Sequence, residues 1–122
     1  MSQVNRQHDK ISVAESVVEK QLAYYNANDL EGFASTYAED IEIYDLPEGT
    51  LRFKTREELL NRYGKTFALK PKARIASRIV EGNKVIDHEF YMREGMTEEG
   101  AVVAIYEVDT EKALIAKVWF IK

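Results

Sequence analysis

The sequence predicts an α+β domain, with three N-terminal helices packed on one side of a strongly curved, mostly antiparallel sheet. Three observations carry that prediction. Two helix-start signatures lie in the first half of the chain, Ser12-Val13-Ala14-Glu15 and Thr55-Arg56-Glu57-Glu58. Beyond Pro71 the apolar period changes from that of a helix to two residues and stays there. The order of elements is then helix, helix, strand, helix and a four-strand meander, which segregates helices to one face of the sheet.

Each element follows from its residues. In the first signature a hydroxyl at the N-cap and a carboxylate three residues later answer the free amides of a helix start. Val13, Val17, Val18, Leu22 and Tyr25 then follow helical spacing to about Asn26, with Gln21 a polar insertion in the apolar stripe. Asn28-Asp29 breaks that helix and caps a short second one, Leu30 to Tyr37. From Ile41 the residues alternate as in a half-buried strand, so that Ile41, Ile43 and Asp45 share one face until the chain turns at Pro47 and Gly49. The second capping box starts a third helix, whose stripe is Leu59, Leu60, Tyr63 and Phe67. Arg74 to Val80 and Lys84 to Arg93 form a hairpin across Glu81-Gly82-Asn83. Ala101 to Val108 and Ala113 to Ile121 form another across Asp109 to Lys112. Residues 11–122 read as a single domain behind a frayed start at residues 1–10.

Composition removes several classes of function. The chain has 122 residues, is 45% hydrophobic and 31% charged, and carries a net charge of −4. That is one core-forming soluble domain, not a disordered chain. Its scattered basic residues lack the positive face expected of a nucleic-acid binder. No cysteine is present, so thiol and disulfide chemistry are excluded; a cytoplasmic location is the expectation. The polar start has no signal-like apolar run, and no stretch approaches the length that crosses a membrane. His8 and His88 are too far apart and too unsupported to suggest a metal site. No cofactor is implied.

The element order, with Asn28-Asp29-Leu30, Tyr37-Ala38-Glu39-Asp40, the strand ending at Asp45 and the closing Val118-Trp119-Phe120, resembles the nuclear transport factor 2-like superfamily of cone-shaped, cystatin-like α+β proteins. The likeness is to its SnoaL-like and ketosteroid-isomerase-like bacterial members and covers nearly the whole chain. It implies a pocket inside the cone, a small apolar or oxygenated organic ligand, and a homodimer through the outer sheet face. The fold carries many activities, so it does not by itself name one. Laid over the steroid isomerases, Asp45 falls at their general base, while Gln21 and Ala104 stand near their two oxyanion donors. Loss of such donors costs orders of magnitude in rate, so the resemblance implies a protein other than a true steroid isomerase: an isomerase, cyclase or hydrolase using an Asp base, or a non-catalytic binding or interaction domain.

The same overlay turns Val85, Asp87, Glu89 and Tyr91 inward, along with Val102, Ala104, Tyr106, Lys117 and Trp119. A two-residue turn near Gly82 then sets Arg78 opposite or diagonal to Asp87. The expected catalytic groups are Asp45, Asp87, Lys117 and Tyr106; the expected ligand contacts are Gln21, Tyr25, Arg78, Glu89 and Trp119. Asp45 among Ile and Trp side chains would be the poised base, and Asp87 beside Arg78 would be held ionised. Two plainer alternatives stand beside these: Asp45 as a turn former ahead of Pro47, and Arg78, Asp87 and Glu89 as a structural ion-pair group or a solvent-facing strand side. His88 is expected on the convex face. Val103, Ile105, Val118, Phe120, Ile79 and Phe90 would form the apolar outer surface.

Overall fold

The computed structural model describes residues 12–122; the frayed segment expected at residues 1–10 lies outside them. Helix α1, Val13–Asn26, begins where Ser12 accepts a hydrogen bond from the Glu15 amide at 3.1 Å. Helix α2 covers Leu30–Ser35 behind an Asp29 cap, and α3 covers Arg56–Phe67 behind a Thr55 cap. Caps of this kind are each worth about 1 kcal/mol. The second helix is shorter than its pattern suggests, because Tyr37 already belongs to the first strand.

Six strands form one sheet: β1 Tyr37–Leu46, β2 Thr50–Phe53, β3 Lys72–Glu81, β4 Lys84–Met92, β5 Gly100–Asp109 and β6 Leu114–Ile121. Their order is β2-β1-β6-β5-β4-β3, and only β1 and β6 run parallel. The short edge strand β2 has no counterpart in the expected element list. Its four residues follow Pro47 and Gly49, and the first two are exposed, so they carry no period that separates them from a loop.

The helices lie on the concave face. Phe33 occupies the centre of the core, with ring centroids 4.9 Å from Tyr63, 5.1 Å from Tyr37, 5.2 Å from Phe67 and 5.7 Å from Tyr25. Under this aromatic layer lie Ile41, Ile43, Val85, Val108, Ile115 and Val118, all essentially without solvent contact. Full burial of each such side chain contributes on the order of 2 kcal/mol, and together they fix which strand face points inward.

Two irregularities decide strand parity. In β6, Ile115 lies beside Val108 and Lys117 beside Glu107, leaving Ala116 unmatched. This β-bulge inverts the alternation: Ile115 faces inward before it, and Val118 and Phe120 face inward after it. A second bulge, at Ala76 in β3, lets Ile75 oppose Glu89 and Arg78 oppose Asp87 on the same concave face.

Candidate functional site

A cavity opens between the helices and the concave face of β4 and β5. Its volume is about 80 Å³, enough for several water molecules at roughly 10–15 Å³ each. The wall is aromatic, with Tyr25, Phe33, Tyr37, Tyr63 and Tyr106 around its closed end. Gln21 enters from α1 and donates from Nε2 to the Tyr37 hydroxyl at 3.1 Å. This bond explains the polar insertion in the α1 stripe and fixes the phenol, leaving its own O–H free to donate.

Among the described residues, Glu89 is the one carboxylate on the cavity wall. Burial, followed by the charge of Asp87, pushes its carboxyl up from an ordinary 4.5 to about 7, and Arg78 offsets this only in part. The surrounding phenols move the same way. Burial raises Tyr37 and Tyr106 well above the usual range and also raises Tyr25 and Tyr63. At neutral pH the closed end therefore holds several O–H donors and a carboxyl poised between its two protonation states.

Asp87 lies two residues back on the same strand and has a different environment. It is 1% exposed and receives a bidentate pair from Arg78, Nε to Oδ1 at 2.6 Å and Nη2 to Oδ2 at 2.9 Å. Arg78 also binds Glu19 and lies 3.5 Å from Glu15, both on α1. This network ties the hairpin to the helix and does not line the cavity.

The sequence-expected residues therefore divide into four groups. Gln21, Tyr25, Glu89 and Tyr106 meet at the cavity, and Arg78 and Asp87 face inward as a pair beside it. Lys117 and Trp119 do not face the cavity. The bulge at Ala116 turns them outward, where Lys117 lies 3.8 Å from Glu42 and Trp119 stacks on Tyr44 at 6.0 Å. By the same inversion Val118 and Phe120, expected on the outer surface, belong to the interior. Asp45 stands beside Phe120 on the inner side but at the rim, 35% exposed and 3.4 Å from Arg52. The expected ring of Ile and Trp around Asp45 is absent because Trp119 is on the other face. His88 is on the convex side, packed on Phe90 at 4.9 Å.

Four charged cavity residues escaped the sequence reading, Arg52, Arg62, Arg93 and Lys122, as did Phe53 and Thr66. The four charged ones form a basic rim around the mouth. Arg93 follows Tyr91 in the inner row of β4 and lays its guanidinium over that ring, 4.6 Å from the centroid. Partial burial, together with the charges of Arg52, Arg62 and Arg93, lowers the Lys122 ammonium, and the Asp45 charge offsets this in part. Arg93 and Lys122 could have been found by extending the β4 and β6 alternation past the strand ends; Arg52 could not, because β2 itself was missed. Among the described residues no group of three His, Cys, Asp or Glu side chains is placed to hold a metal ion. Among them, too, no helix is long and apolar enough to cross a membrane.

Comparison with known proteins agrees with this geometry. The family model for the SnoaL-like domain matches residues 18–117. No curated protein matches the sequence. Among solved structures, an uncharacterized cystatin-fold protein from Novosphingobium aromaticivorans is 21% identical, with TM-score 0.77 over 93% of this chain and 100% of that one. A protein of unknown function from Cytophaga hutchinsonii, described as NTF2-like, is 17% identical, with TM-score 0.71 over 91% and 90%. A computationally designed 17-OHP binder is 19% identical, with TM-score 0.79 over 91% of both chains. At these identities the likeness concerns the fold alone.

Proposed function

The chain belongs to the SnoaL-like domain family, and on that premise we propose that it binds a small organic molecule in the cavity above Glu89 and moves a proton on it. The observation that carries this reading is the position of Glu89: a carboxyl on the wall of an aromatic cavity, held near half-protonation at neutral pH. A general base works best when its pKa lies near the working pH. Asp45, the base expected from the steroid-isomerase overlay, is paired with Arg52 at the rim. Glu89 takes that role in this proposal.

For a substrate with an acidic C–H beside a carbonyl, the Glu89 carboxylate removes the proton and becomes the carboxylic acid. The C–H electron pair moves onto the carbonyl oxygen as an enolate. Tyr106 or Tyr37, phenols that burial keeps protonated, donate to that oxygen as its charge develops. Return of the proton to another carbon completes an isomerisation; attack of the enolate carbon on a second carbonyl carbon of the same molecule moves that carbonyl's π pair onto its oxygen, which takes the proton back from Glu89 and completes a ring closure. The outer sheet face, with Trp119, Ile105, Phe90 and the exposed Ile79, favours a homodimer as the second part of the reading.

The test is solvent-deuterium incorporation into a panel of small ketones and keto acids, followed by NMR. Wild type is expected to exchange at least one of them. Glu89→Gln should lose about 10²–10⁴-fold of the rate, as expected for removal of a general base, and Lys117→Met, on the outer face, should keep it. Equal exchange by Glu89→Gln and wild type would remove the mechanism.

A further inference from the structure

Resting on the reading of the cavity as a small-molecule pocket, we infer that its ligand is a carboxylic acid. The ligand's carboxylate sits among Arg52, Arg62, Arg93 and Lys122, and its carbon body lies against the aromatic wall. Of the charged side chains lining the cavity, four are cations and only Glu89 is acidic. This concentration of positive charge occurs in a chain whose formal net charge is −4.

The rest of the sheet shows what cations ordinarily do in this molecule. Arg74 binds Glu99, Arg78 binds Asp87, Lys84 binds Glu107 and Lys117 binds Glu42, Lys72 donates to the Asn26 carbonyl, and just ahead of the sheet Lys70 binds Glu94. At the mouth, Arg52 has Asp45 at 3.4 Å. Among the described residues, Arg62, Arg93 and Lys122 enter no such pair. Acids abound on this chain, so the shortage at the cavity mouth is local and not a matter of composition.

The rim carries a cost that an anion would relieve. Arg93 lies over Tyr91 and reaches Tyr25, yet its Nε–H is buried and without a hydrogen-bond partner, and an orphaned buried donor is unfavourable. The Lys122 ammonium is disfavoured by partial burial and by the charges of Arg52, Arg62 and Arg93, which Asp45 offsets only in part. A carboxylate placed among them supplies the missing acceptor in the geometry that guanidinium forks match. Phosphate would satisfy the same donors. The aromatic wall behind the rim, with Tyr25, Tyr63 and Phe120, selects an anion attached to a carbon body, however, because its ring faces bury apolar surface that inorganic phosphate lacks.

The experiment measures binding of benzoate, phenylacetate and 3-phenylpropionate beside their neutral amides and beside inorganic phosphate. ¹⁵N NMR detects the Arg Nε–H resonances. At least one acid should bind roughly tenfold or more tighter than its amide, as expected for gaining a charge-assisted pair. The preference should shrink as salt is added, and the same acid should shift the Arg93 Nε–H signal. Arg62→Met and Arg93→Met should each weaken the acid and leave the amide unchanged. Acids and amides binding equally, or a preference that survives both substitutions, would overturn the inference while leaving the pocket reading intact. Phosphate matching the best acid would overturn the choice of a carboxylic acid. If no acid and no amide binds, both the inference and the pocket reading fall.

Discussion

Replacing Glu89 by Gln should stabilise the protein, and by an amount that depends on pH. In the unfolded chain this carboxyl ionises near 4.5, whereas in the folded protein burial and Asp87 raise it to about 7. Below pH 4.5 both states hold the proton, and wild type carries no ionisation penalty relative to Glu89→Gln. Between those values the unfolded chain has released its proton and the folded chain still holds it, so wild-type stability falls as pH rises. Above pH 7 both are ionised and the loss levels off. At about 1.36 kcal/mol per pKa unit the total is on the order of 3 kcal/mol. The assay is urea unfolding of wild type and Glu89→Gln at intervals from about pH 4 to about pH 8.5, which brackets both ionisations. Taking the difference between the two proteins cancels exposed pairs such as Arg74–Glu99, which both retain. The advantage of Glu89→Gln should grow by about 3 kcal/mol across the range, with its steepest part between the two ionisations; in melting temperature that is about 10 °C. A difference that stays flat, or that shrinks with rising pH, would show that Glu89 is solvated, and the proposed general base would go with it.

Asp87→Asn removes one partner of a buried ion pair and leaves Arg78 to Glu19 and Glu15. It should cost about 2–4 kcal/mol in urea unfolding at about pH 8, and the Glu89 titration, followed by ¹³C NMR, should move to lower pH because the Asp87 charge is gone. Deleting Ala116 removes the unmatched residue and lets Ile115 and Lys117 pair consecutively with Val108 and Glu107, so Lys117 and Trp119 keep their outward facing and Val118 and Phe120 their inward one; circular dichroism should show the cooperative fold retained, and its loss would refute the parity assigned to the bulge. Ile79→Lys combined with Trp119→Lys should convert a dimer to a monomer in sedimentation at micromolar concentration without altering ligand binding, and a wild-type monomer would refute the proposed outer-face association.

How much was legible depended on whether the information was local. The helix starts were, because a cap and its reciprocal carboxylate lie within four residues, as Ser12 with Glu15 and Thr55 with Glu58 do. The pairing of Arg78 with Asp87 was accessible for a similar reason: a two-residue turn at Gly82-Asn83 fixes the register of the hairpin, and Gly82 adopts the positive φ of 59° that such a turn needs. The inward row of β4 followed. In β6 simple alternation failed, since nothing in Leu114-Ile115-Ala116-Lys117 announces an unpaired residue; the bulge exists because Val108 and Ile115 are held together in the core while Lys117 finds Glu42 outside. The basic rim was illegible for a further reason. Its members come from β2, α3 and the ends of β4 and β6, and no linear stretch contains two of them in pattern.

The two acids of β4 show how the fold makes one carboxyl structural and its neighbour reactive. Asp87 and Glu89 project from the same face of one strand, two residues apart, which places them roughly 6–7 Å from each other. The guanidinium of Arg78 reaches these two acids from β3, and the register of the β3–β4 hairpin assigns it to Asp87 with both forks engaged. Directly across from Asp87 on β5 stands Ala104, fully buried and small, so no side chain there competes for the acid or displaces Arg78. Glu89, one pleat further along, is opposite Ile75 on β3 and Val102 on β5. It has no cation of its own and feels the charge of its neighbour. Glu89 thus owes its raised affinity for a proton first to burial and then to the Asp87 charge, which Arg78, engaged with Asp87, offsets only in part. Moving the cation one pair along the ladder would set it opposite Glu89 instead, lowering that carboxyl and leaving Asp87 buried without its guanidinium partner.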